Sequence, residues 1–164
     1  TRPMAPAAAT PEPAQAPNSA QPATLAIARP PGSPASQMRA VEKAARSRLP
    51  SPVVTVFEAR AEGRVMGRAI LDTHVVRTMP ETLLTVVEPD GRLRMALVLQ
   101  FNEPPDYLPR EGWLRTLEGR SLGDELWPGR GVRRVTGATL TVQALTEAVR
   151  RALAIDALVL RGAR

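Results

Sequence analysis

The tetrapeptide Thr136-Gly137-Ala138-Thr139 opens directly onto an amphipathic run, with Arg133 and Arg134 just upstream. The first turn of a helix presents N–H groups without intrahelical partners, at the positive end of the helix macrodipole. Such a terminus favours a phosphate. Gly137 and Ala138 have almost no side chain, so a bulky group can approach the backbone there. Thr139 and Thr141 bring hydroxyls, and the two arginines bring charge. A plainer reading uses the same residues, because threonine at a helix start is an ordinary N-cap. Residue types alone leave both readings open.

Other chemistry is poorly provided for. There is no cysteine, which excludes disulfides, covalent haem attachment and iron–sulfur ligation. A single histidine, His74, argues against a histidine-based metal site, and no metal ligands are expected. It also leaves little for a nucleophile–base pair. His74 lies among strand residues and reads as a packed or surface histidine. No Walker loop or dinucleotide fingerprint occurs. Glu103 is an isolated carboxylate in a proline-rich loop, which by itself reads as a solvated charge. Trp113 and Trp127 read as core or rim anchors. The net charge of +6 comes almost entirely from arginine, with one lysine. The arginines are scattered and aromatic residues are few, so no nucleic-acid surface is expected.

The elements that must position these residues follow from pattern. Residues 1–38 hold nine of the seventeen prolines, many alanines and three charges, Arg2, Glu12 and Arg29. They read as a disordered Pro/Ala-rich tether, with the folded domain over 40–164. Residues 40–49 suit a short helix ended by Pro50. Residues 53–59 alternate as a strand, and 63–76 read as a second strand with a close backbone approach or bulge at Gly67. Residues 81–101 are two apolar runs joined by Glu-Pro-Asp-Gly, a hairpin signal. Residues 102–112 form a loop, 113–119 a short helix ended by Gly119, and 126–134 a further loop. The last helix gathers Ala144, Leu145, Ala148, Val149, Ala152 and Leu153 on one face, with Glu147, Arg150 and Arg151 mostly off it. This succession implies an α+β domain, an antiparallel sheet with helices packed on one face. No run approaches the length of a transmembrane helix.

The stretch Val135–Thr141, "VTGATLT", resembles the flavinylation motif of the FMN-binding domain family. That family includes the C subunit of the sodium-translocating NADH:quinone reductase and the G subunit of the Rnf complex. In its motif the threonine after alanine is esterified to the phosphate of FMN by a separate flavin transferase, which uses FAD as donor and a magnesium ion. The matching residue here is Thr139. Thr136, Gly137 and Ala138 match the residues before it, and Leu140 and Thr141 suit the continuation into a helix. Residues 63–76 and the hairpin with its Glu-x-Pro loop are also similar to the family, so the resemblance covers about 63–156. One position departs: the family usually has an aspartate six residues before the modified threonine, where this chain has Arg133.

The resemblance implies a flavoprotein domain that carries electrons and turns over no substrate of its own. It places the phosphate at the start of the last helix. The flavin ring would lie against the loop of Glu103, Pro104, Tyr107 and Leu108, with Tyr107 or Trp113 as an aromatic contact. It implies an extracytoplasmic, periplasmic setting, membrane-associated through an upstream anchor or a partner complex, and membrane-bound or periplasmic redox partners. The first residue is Thr1, which suits a removed signal peptide, an omitted anchor or an artificial boundary alike. A flavin-free structural or assembly subunit of a membrane redox complex, built on the same fold, is the alternative that Arg133 supports.

Overall fold

The computed structural model describes residues 33–110 and 112–162 in full and the backbone course of 20–26. In chain order the elements are β1 (Ala20–Ala26), α1 (Pro34–Ala45), β2 (Val53–Ala61), β3 (Arg64–Val75), β4 (Pro80–Val87), β5 (Leu93–Phe101) and α2 (Thr139–Ile155). The strands form one antiparallel sheet in sequence order, β1-β2-β3-β4-β5. Strand β1 is an edge, a position in a sheet where a proline such as Pro22 is tolerated. Helix α2 lies on β3 and β4, and α1 packs on α2. The domain is therefore α+β, with its helices on one face of an antiparallel sheet.

Period-two alternation explains which face is covered. Along β4, Glu81, Leu83, Thr85 and Val87 are buried, while the residues between them are partly exposed. Ile70, Leu83 and Val87 of the sheet meet Leu145, Ala148 and Ala152 of the helix face that the sequence pattern marks out. Trp113, Leu117, Leu126 and Val132, from the tract between β5 and α2, close one side of the core. On the opposite sheet face Met95 and Leu97 are exposed.

The hairpin forms as expected, with Gly91 at φ +90° in its turn. Gly67 is a close backbone approach, since a Cβ there would lie 3.1 Å from the carbonyl oxygen of Val87. The expected short helix is a 3₁₀ turn, Leu114–Leu117, with Gly119 at φ +76° after it. Three expectations need correction. The first helix spans Pro34–Ala45 rather than 40–49. Ser33 caps it, Pro34 occupies its first turn, where a missing N–H costs nothing, and Arg46 ends it at φ +56°, before Pro50 is reached. The stretch read as a tether over 1–38 thus includes the first residues of α1 and the strand β1. Its other residues, 1–19 and 27–32, lie outside the described residues.

The third correction concerns the polar side of α2. Arg150 and Arg151 are buried, not off the packed face. Arg150 donates to the carbonyl oxygens of Ala44, Ala45, Gly123 and Leu126, and its guanidinium lies 5.3 Å from the Trp127 ring centroid. Arg151 forms a two-pronged pair with Asp72 at 2.7 Å on each side. Asp72 in turn holds the Nδ1 atom of His74 at 2.8 Å. Hydrophobic periodicity is blind to such burial, because a charge enters a core only when paired and hydrogen-bonded. His74 is accordingly a packed histidine.

Candidate functional site

Helix α2 begins at Thr139, with Ala138 in the N-cap position at φ −122° and ψ 25°. No side chain caps it. The N-cap reading of Thr136 and Thr139 therefore does not describe this terminus, and the N–H groups of its first turn have no side-chain acceptor. Gly137 has φ +86°, a conformation costly for other residues, and no heavy atom lies within 4 Å of where its Cβ would be. The approach to the backbone is open. Thr139 is exposed, and its Oγ1 is 3.5 Å from the carbonyl oxygen of Val135, too far to hold the hydroxyl firmly.

Thr139 borders a cleft of about 190 Å³ formed by Gly137, Ala138, Thr139, Leu140 and Thr141 with Arg77 and Tyr107 from two other loops. The Arg77 guanidinium lies 4.7 Å from the centroid of the Tyr107 ring. On its other side Thr139 borders a second cleft, of about 240 Å³, with Arg134 and Trp127. Neither Arg77 nor Arg134 is paired with a carboxylate among the described residues. Thr139 thus borders two clefts, each lined by an arginine that no carboxylate pairs among the described residues, at a positive helix end.

The loops are held in place by Glu103. Its Oε1 accepts the backbone N–H groups of Arg77, Thr78 and Met79 at 3.2, 2.7 and 2.9 Å. The N–H groups of Thr78 and Met79 hold its carboxyl below the usual carboxylate range. Glu103 is 7 % exposed, so it is a buried staple and not the solvated charge its loop suggested. Pro104 precedes the 3₁₀ turn Pro105–Tyr107 that presents Tyr107.

The residues singled out in the sequence are only partly gathered. Gly137, Ala138, Thr139, Leu140, Thr141 and Tyr107 share the cleft, although Thr141 is 1 % exposed and largely turned into the core. Thr136 instead borders a separate cleft of about 500 Å³ with Arg110, Trp113, Arg133 and Arg134. The Trp113 indole donates to the carbonyl oxygen of Arg133 at 2.9 Å, which fixes that wall. Pro104 and Leu108 border neither cleft at Thr139. Arg77 carried no sequence signal, since nothing local to 75–79 announces that the fold brings it to the start of α2.

Arg133, where the sequence departs from the motif it resembles, faces the Trp113 cleft and not the one that Arg77 closes. No group of acidic, cysteine or histidine side chains suited to a metal occurs among the described residues. No helix among them is long and apolar enough to cross a membrane. No protein-family model matches the chain, and no curated protein matches it.

Proposed function

We propose that this domain is an extracytoplasmic electron carrier that holds FMN as a phosphoester on Thr139. The observation that carries the reading is the uncapped start of α2: an exposed threonine hydroxyl, an open Gly137, and Arg77 and Arg134 lining the two clefts that Thr139 borders. These residues suit a phosphate monoester. Thr139 would supply the ester oxygen, and the first-turn N–H groups and the helix dipole would face the remaining phosphate oxygens. Arg77 and Arg134 would balance their charge. Tyr107, held under Arg77, offers an aromatic face beside the attachment point.

FMN, when bound, supplies an isoalloxazine that passes electrons one or two at a time. The chain's own part is to hold, orient and partly shield it. Glu103 does this indirectly, by fixing the turn that carries Arg77. A covalent link suits a setting outside the cytoplasm, where a dissociated flavin would be lost. Maturation needs a flavin transferase, and function needs a membrane-bound or periplasmic redox partner. The flavin-free reading, a structural or assembly subunit of a membrane redox complex, draws mainly on Arg133. A visible absorbance spectrum of protein exported beside an active transferase separates the two. Flavin bands that survive denaturation and gel filtration support the carrier, and a colourless product supports the structural subunit.

A further inference from the structure

A further basic cleft, of about 490 Å³, lies where the β2–β3 turn and the β4–β5 turn meet the end of the last helix. It is bordered by Arg60, Arg64, Arg68 and Arg161 with Gly63 and Pro89. Three of these arginines are held by two carboxylates in an alternating chain. Glu58 pairs with Arg60 at 2.6 Å and with Arg68 at 2.8 Å. Asp156 pairs with Arg68 at 2.8 Å and with Arg161 at 2.7 Å. Arg68 and Asp156 are buried, at 3 % and 0 % exposure, so this is built structure and not a chance surface cluster.

Arg64 is exposed and has no partner among the described residues. Asp90, in the neighbouring turn, is exposed and pairs with Arg92, and Glu62 does not border the cleft. Arg161 is aimed as well as held. Its Nη1 donates to the Asp90 carbonyl oxygen at 3.0 Å, and its guanidinium lies over Gly91, where any Cβ would collide with it. The π-helical turn Asp156–Leu160, which prolongs α2, supplies Asp156 and leads into Arg161. The Nη2 atoms of Arg68 and Arg161 have no acceptor among the described residues.

We infer that this cleft binds a phosphoryl oxyanion, carried by a soluble phosphomonoester or by the headgroup of an anionic lipid. Planar guanidinium forks fixed by carboxylates and left with free N–H groups match tetrahedral oxyanions. The cleft exceeds the size of a bare phosphate, which leaves room for the group the phosphate is esterified to. The site does not depend on flavin at Thr139.

The test uses the full chain labelled with ¹⁵N and titrated with inorganic phosphate, against chloride at matched ionic strength. Saturable shifts at the amides of Gly63, Arg64 and Val65 are expected. Arg64→Ala, at an exposed residue without partners, should weaken them about tenfold or more, the loss of one charge-assisted contact. Arg133→Ala, at the Trp113 cleft, should leave them unchanged. Co-sedimentation with phosphatidylglycerol vesicles, lost in Arg64→Ala and absent with phosphatidylcholine, would assign the oxyanion to a lipid. Shifts confined to 137–141 overturn the inference, as does an equal response to chloride with no vesicle binding.

Discussion

The guanidinium of Arg77 sits 4.7 Å from the centre of the Tyr107 ring, and the pair closes one side of the cleft at Thr139. A cation over an aromatic face is an attractive arrangement in its own right. Here it also holds positive charge near a hydroxyl whose helix has no cap. The arrangement depends on Glu103, which gathers three successive N–H groups of the turn carrying Arg77.

Arg77→Ala should weaken binding of free FMN in a Thr139→Ala background. A charge-assisted contact contributes about 1.5–3 kcal/mol, so the affinity should fall tenfold or more. The melting temperature should barely move, because Arg77 is exposed. Fluorescence titration checks the first and calorimetry the second. An unchanged affinity would remove Arg77 from the site.

Arg133→Asp tests the position where the sequence departs from the flavinylation motif it resembles. Its side chain faces the Trp113 cleft, so free FMN affinity should change by no more than about twofold, as expected of a screened surface charge. A transferase that reads an aspartate there should label the variant faster. The paired measurement is FMN affinity in the Thr139→Ala background and rate of mass gain with Thr139 intact. A tenfold loss of affinity would instead make Arg133 a phosphate contact.

Asp72 and Arg151 form a buried, two-pronged pair between β3 and α2. Removing one partner strands the other charge in the core, so Asp72→Ala should destabilise by about 3–5 kcal/mol. Asp72→Leu combined with Arg151→Met should recover most of that loss. Urea unfolding of the single and double variants reads both. A cost under about 1 kcal/mol for the single change would place the pair among weak surface bridges.

The same cluster sets the dependence of stability on pH. Burial pushes the Asp72 carboxyl up, but hydrogen bonds from Arg151 and His74 overcome it and hold the pKa at about 2, below the ordinary 3.8. Its contribution is present above the ordinary value and is lost as pH falls through about 2. Burial pushes the His74 imidazole down, but the hydrogen bond to Asp72 and the Glu81 carboxyl group 3.5 Å from its Nε2 atom overcome it and raise its pKa above 6.5. That contribution is complete below 6.5 and is lost as pH rises through the raised value. These two groups therefore favour the folded state most between about pH 4 and 6.5. Unfolding free energies across pH should show both limbs, and His74→Gln should flatten the alkaline one. An alkaline limb unaltered by that change contradicts the assignment.

Sheet and hairpin were legible because they rest on short-range signals. Alternation over 81–87, Pro89-Asp90-Gly91 in the turn and a glycine within β3 each act locally. The start of α1 was missed because Pro34 counts toward a disordered composition although proline suits a helix's first turn. Arg150 and Arg151 were misread because their partners, Asp72 and the carbonyl oxygens of Ala44 to Leu126, are remote in sequence. The same holds for the site. Gly137 to Thr139 could be read from residue types and from the motif they resemble. Arg77 and the stapling by Glu103 arise only when the β3–β4 turn meets the loop after β5.

The most direct test of the account is the intact mass of the chain exported beside an active flavin transferase. The expected mass exceeds that of the unmodified chain by one FMN less one water, and Thr139→Ala abolishes the increment. An unmodified mass, with the transferase shown to label another substrate in the same cells, contradicts covalent flavin at Thr139.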